Sequence, residues 1–307
     1  VETEQRQQLA AQFTARMNEL DDAQIELTSV AIARFERFLA KYPNSENTAH
    51  AMFRLGELHY DKTELDFALA EEEYERRMDG FDYETALSIP EAPQKDYSRS
   101  IALYRRIIDE HPQYAFVDGA YYMLGFCLAR DGSLQYDEIA SRDVFQALVD
   151  AHPDSRFAIA AHLRLGDYYF DYNQVDQAIP HYERVIALSG SEGDLYDDGL
   201  YKLAWAFYKK DEFTRSLTLF TELLDWSKQN FARTGFQAAT APEAIEYSAI
   251  TFSDLGDRNG VSPLEEAKAF YRTTGERDFE KDVYVRLAGV LTDQARFEES
   301  IQVYRYL

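Results

Sequence analysis

The feature that most constrains this chain is a paired-helix pattern that it repeats. Residues 158–190 place Leu165-Gly166 and Tyr169 on one predicted helix and Ala178 and Tyr182 on the next. Leu165 and Tyr169 are four residues apart, as are Ala178 and Tyr182, so each pair shares a helix face. The small Gly166 and Ala178 let the two backbones approach closely. Such a hairpin leaves an apolar face uncovered and needs a neighbouring copy on each side. The number of copies therefore decides the fold.

Six copies can be followed. Leu55-Gly56 pairs with Ser100, Tyr104 and the closing Pro112, and Leu124-Gly125 with Ser141, Phe145 and Pro153 after a short insertion at Asp131-Gly132-Ser133. The Leu165-Gly166 copy follows. Leu203-Ala204 with Phe207 pairs with Ser216 and Phe220, and a helix around 244–255 bearing Tyr247-Ser248 pairs with Ala267 and Tyr271. The last copy joins Leu287-Ala288 and Leu291 to Ser300 and Tyr304. Ahead of them, Leu9, Phe13, Met17 and Leu20 draw an apolar stripe that Asp21-Asp22 is expected to end. A second helix at 24–41 carries Ala31, Phe35 and Phe38 up to Pro43. The organisation expected is a divergent helical pair over 1–47 and a repeat array over 48–307.

Between Leu55-Gly56 and its partner helix lies an insertion at about 63–97. Thr63 is a plausible N-cap for an extra helix ending at Gly80, while Pro90 and Pro93 mark an extended second half. From Glu64 to Asp96 it holds eleven acids against three bases.

The formal net charge of −23, with no long lysine or arginine cluster, argues against nucleic-acid backbone binding and against adsorption to anionic lipid. It favours partners that are not acidic at the contact. Cys127 is the only cysteine, so neither an internal disulfide nor a multi-cysteine metal site is expected. No long apolar run points to direct membrane insertion. The chain opens on Val1 without methionine or an apolar signal core and stops at Leu307 inside a second helix, so a processed or trimmed fragment is expected, with room for further repeats.

The Leu-Gly pairs, the small-x3-aromatic signatures and the prolines at 43, 112 and 153 resemble the tetratricopeptide repeat family over nearly the whole chain. The resemblance implies an all-α, right-handed α-solenoid of about six helical hairpins plus the N-terminal pair. In that family the first helices line a concave groove, and its groove positions fall here on Phe53, Tyr60, Tyr122, Phe126, Phe170, Tyr201, Trp205, Tyr208 and Phe252, with Glu57 and Asp167 among them. Aromatic side chains of this kind suit recognition of an extended or helical partner segment. Tyr201, Trp205 and Tyr208 share one helix face and are the strongest candidates. Members that grip a chaperone's C-terminal carboxylates carry lysines and asparagines at these positions; that clamp is absent. The phrases FLAKYPNSENTAHAMFRLGELHY and YRRIIDEHPQYAFVDGAYYMLG are similar to envelope-associated members: the lipoprotein of the outer-membrane barrel assembly machine, the Tol-Pal cell-division coordinator, and repeat proteins of the myxobacterial gliding machinery.

No chemistry-bearing motif competes. There is no glycine-rich phosphate loop, no Gly-x-Ser-x-Gly elbow and no histidine pair at zinc-site spacing, and the Glu71-Glu72-Glu73 run points in several directions around a helix. Neither catalysis, a metal nor a cofactor is expected. The sequence reads as an interaction scaffold of a bacterial cell envelope, periplasmic or associated with the outer membrane. The alternative is a cytoplasmic regulator whose repeats clasp a signalling peptide.

Overall fold

The computed structural model describes residues 2–79, 81, 90–275 and 277–307, with the side chains of Arg6 and Arg16 and those from residue 23 onward. Thirteen α-helices occur among the described residues and no strand; a lone bridge joins Lys95 and Ser133. The chain divides into two units, Val1–Pro153 and Asp154–Leu307.

The first unit contains α1 (Glu2–Lys41), α2 (Thr48–Met78), α3 (Ser98–Glu110), α4 (Val117–Leu128) and α5 (Glu138–Ala151), each packed on its neighbour in sequence. The second contains α6 (Ala158–Asp171), α7 (Val175–Ser189), α8 (Tyr196–Lys209), α9 (Phe213–Thr234), α10 (Ala241–Asn259), α11 (Pro263–Thr274), α12 (Glu280–Asp293) and α13 (Phe297–Tyr306). Here neighbours pack together from α6 to α11 and again at α12 and α13, while α10 meets α12 and α11 meets α13. In the last two hairpins, first helix thus packs on first helix and second on second. Six hairpins result: α2/α3, α4/α5, α6/α7, α8/α9, α10/α11 and α12/α13.

One local device recurs. A Cβ placed on Gly56 would lie 2.8 Å from the Tyr104 ring, one on Gly125 2.8 Å from the Phe145 ring, and one on Gly166 would collide with Tyr182. In each hairpin a buried aromatic ring of the second helix rests on a bare patch of the first. The serine four residues before the ring adds a hydrogen bond: Ser100 Oγ donates to the Gly56 carbonyl at 3.0 Å and Ser141 Oγ to the Gly125 carbonyl at 2.8 Å. Ser300 Oγ donates likewise to the Ala288 carbonyl at 2.8 Å. The turns repeat as well. Asn173, Asp211 and Ala295 each take a left-handed φ of 58° or 59°, and the following amide donates back to the carbonyl of Tyr169, Phe207 or Leu291.

Two expectations are corrected. Asp21-Asp22 does not end a helix: α1 runs unbroken through both, so the N-terminal element is one long helix rather than a pair. Aspartate costs a helix only a few tenths of a kcal/mol, about 0.7 at most, and no glycine or proline stands nearby to stop it. The expected stripe of Leu9, Phe13, Met17 and Leu20 falls on side chains outside the described residues. Likewise, Thr63 caps no new helix. α2 continues through it to Met78, and Thr63 Oγ1 donates to the Asp96 carbonyl at 2.9 Å. The first half of the insertion therefore prolongs the repeat's own first helix. Gly80, its expected end, lies outside the described residues.

The returning chain is stitched down firmly. The Leu134 amide donates to the Lys95 carbonyl at 3.0 Å, the Tyr97 amide to Gln135 Oε1 at 2.7 Å and Gln135 Nε2 to Asp96 Oδ1 at 2.8 Å. Tyr97 is fully buried, and its hydroxyl donates to Glu64, which also receives Lys95 and Arg130. Burial works against the Glu64 anion, but the bonds from Lys95 and Tyr97 with the charges of Lys95 and Arg130 outweigh it and hold the carboxyl below its usual range.

Candidate functional site

Each unit carries an aromatic cleft built on its first helices. In the second unit, Phe170 and Asp167 of α6 and Tyr201, Lys202, Trp205 and Tyr208 of α8 enclose a cleft of about 570 Å³. The rings of Tyr201, Trp205 and Tyr208 follow one another at i, i+4 and i+7, with centroids 6.5 and 5.5 Å apart and near-perpendicular planes. α10, the first helix of the following hairpin, holds them. The Tyr201 hydroxyl donates to Glu243 at 2.5 Å, the Tyr208 hydroxyl to Asp254 at 2.6 Å, and the Trp205 ring lies 4.1 Å from that of Tyr247. Burial and the Glu243 carboxylate push the Tyr201 hydroxyl up to about 12, and burial with the Asp254 bond raises that of Tyr208. Both therefore stay protonated donors across the physiological range.

The charges of this cleft are matched. Lys202 Nζ lies 2.8 Å from Asp167, which also accepts the Tyr182 hydroxyl at 3.0 Å. Lys209 sits 4.4 Å over the Phe170 ring and donates to that residue's carbonyl.

In the first unit, Tyr60 of α2 and Tyr122 and Phe126 of α4 line a cleft of about 790 Å³, closed on one side by Ala31 and Phe35 of α1. Tyr122 and Phe126 stack at 6.1 Å, and Phe126 meets Tyr60 at 6.0 Å. Tyr60 in turn stacks on Tyr97 at 5.3 Å, and burial with the nearby Glu64 charge pushes its hydroxyl up to about 12. Arg54, Glu57 and Asp61 supply the polar lining.

Seven of the nine residues expected in a groove thus line a cleft, three in the first unit and four in the second. Phe53 does not: it is half-buried against the rings of Tyr104 and Tyr114, at 5.8 and 6.3 Å. Phe252 is corrected outright. It is 0% exposed, packed between Phe270 and Tyr271 at 5.6 and 5.7 Å. Phe252 lies on the face of α10 that α11 covers.

Lys202, Tyr247, Glu243, Asp254 and Asp61 were not anticipated. Tyr201 and Glu243, or Tyr208 and Asp254, lie on successive first helices, so only the register between repeats would have joined them.

Among the described residues, no group of three or more His, Cys, Asp or Glu is placed to hold a metal ion, and no helix is long and apolar enough to cross a membrane. Cys127 is buried, and that burial pushes its thiol up to about 12.

A family model described as tetratricopeptide repeat matches residues 163–230, the stretch that supplies most of the second cleft. No curated protein matches the chain. Among solved structures, nearly identical TPR-like repeats from Podosopora anserina share 13% identity over 61% of this chain and 91% of theirs, with a TM-score of 0.39. A tetratricopeptide repeat protein from Parabacteroides merdae shares 12% over 78% and 91%, with a TM-score of 0.36. Likenesses of that size carry no weight for fold or function. The similarity to the tetratricopeptide repeat is thus found over residues 163–230.

Proposed function

We propose that this protein is a non-catalytic scaffold of a bacterial cell envelope that binds segments of other proteins along its first-helix faces, with Trp205 as the principal anchor. One observation carries the reading: the flanking hydroxyls of Tyr201 and Tyr208 are tied to carboxylates of α10, so three large rings are fixed before any partner arrives. Rings already immobilised lose little rotamer freedom on binding, and aromatic anchors of this kind supply most of the affinity at protein contacts. Stacked repeats present extended surfaces of this type as a rule. The acidic composition supports partners that are not themselves acidic at the contact, and does not favour nucleic acid. The envelope placement is supported by the two sequence phrases noted above.

Capture from separate envelope and cytosolic extracts tests both halves of the reading. A defined set of proteins is expected from the envelope extract, and Trp205→Ala, with its helicity verified by circular dichroism, is expected to lose at least one of them. An unchanged set counts against the cleft; capture from cytosol alone counts against the placement.

A further inference from the structure

At the mouth of the first unit's cleft stands a solvent-exposed carboxylate, Asp61, that has no cationic partner among the described residues. Arg54 is engaged by Glu57 at 2.7 Å, Lys62 by Asp66 at 2.9 Å, and Lys95 and Arg130 both by Glu64. Every one of these cations is committed, and none pairs with Asp61. The charges that bear on Asp61 are those of Glu57 and Glu64, both of its own sign. In the second unit the cleft carboxylate Asp167 has both Lys202 and the Tyr182 hydroxyl, just as Glu57, at the same place one residue after the glycine, has Arg54.

Around Asp61 the walls are apolar. Phe35, Leu58, Met123 and the stacked Tyr122 and Phe126 face the same space. A bare metal ion finds too few oxygens there, and an acidic segment meets repulsion from Asp61 and Glu57. A long side chain with an apolar stem and a cationic head fits both parts of the lining, since the stem lies along the rings while the head reaches the carboxylate. Phe126 already carries a guanidinium of this kind: that of Arg130, 5.6 Å from the ring centroid.

We propose that the first cleft docks a partner segment bearing an arginine or lysine beside an apolar residue, the cation seated at Asp61 and the apolar residue against Tyr122 and Phe126. This rests on the reading that first-helix faces bind protein segments, and it assigns the two clefts different ligands: a cation-bearing segment here, an apolar or aromatic anchor at Trp205.

The test uses three fluorescein-labelled peptides, Gly-Phe-Arg-Phe-Gly and its citrulline and norleucine counterparts, titrated against the whole chain by anisotropy at low salt. Citrulline keeps the shape of arginine and removes its charge. The arginine peptide is expected to bind about tenfold more tightly than either counterpart. Asp61→Asn should bring the three peptides together, Tyr122→Ala should weaken all of them, and Trp205→Ala should leave the ranking intact. Equal binding of arginine and citrulline overturns the proposal, as does a preference that survives Asp61→Asn, or no binding of the arginine peptide at about 1 mM. Extract capture that ignores Trp205 while the arginine preference holds would instead sink the reading of the second cleft alone.

Discussion

The two clefts are made from the same parts and differ in how their charges are settled. In the second, Asp167 has a lysine and a tyrosine hydroxyl, and two further tyrosines are latched to α10. In the first, Glu57 at the matching position has Arg54, while the exposed Asp61 one turn further on has no cation among the described residues. Even the rings beneath them differ: Tyr182 donates to Asp167, while the hydroxyl of its counterpart Tyr104 is buried without a hydrogen-bond partner. A repeated hairpin thus fixes where rings and backbone go and leaves the polar lining free to vary. Recognition is written in that lining.

The largest effect should come from removing the shared parts. Tyr182→Ala and Tyr104→Ala each delete a fully buried ring and are expected to cost about 3–5 kcal/mol, read by chemical denaturation. A far smaller loss at one of them would show that the two hairpins are not built alike. Next comes Trp205→Ala, expected to weaken partner binding by about 2 kcal/mol with little change in folding, as titration calorimetry on a captured partner would measure. Removing only the hydroxyls sharpens the contrast. Tyr182→Phe should cost about 1 kcal/mol because Asp167 loses a donor, whereas Tyr104→Phe should be neutral or stabilising because a buried unpaired hydroxyl disappears.

The smallest effect concerns Asp61 and depends on pH. Partial desolvation beside the cleft first, then the charges of Glu57 and Glu64, raises its carboxyl above the ordinary 3.8. The folded chain therefore takes this proton more readily than the unfolded chain does, and stability from this group falls as pH rises through its folded value. Asp61→Asn should raise the melting temperature at neutral pH, with the gain vanishing below the ordinary aspartate range. Asp167→Asn should lower the melting temperature at neutral pH, since it gives up Lys202 and weakens the tie to Tyr182.

Much of the architecture was legible from residue types alone. The Gly56, Gly125 and Gly166 positions and the rings sixteen or more residues later specify one contact each, and the structure contains all three. What escaped was set between elements. Helix ends at Asp21-Asp22 and Thr63 were inferred from weak local preferences that continuous hydrogen bonding overrides. Phe252 was assigned by its offset from Ser248, which says nothing of which face of α10 is covered by α11. The pairing of Lys202 with Asp167 joins different hairpins, and a pattern read one hairpin at a time has no term for it.

The stitching at the root of the 63–97 segment has a wider meaning. Because Thr63, Lys95, Asp96 and Tyr97 are bound to α2 and to the chain before α5, the hairpin keeps its alignment whatever emerges between those anchors. Such a doorway lets an appendage be lengthened, shortened or exchanged for another without re-engineering the stack, which makes it a natural place to graft a foreign domain.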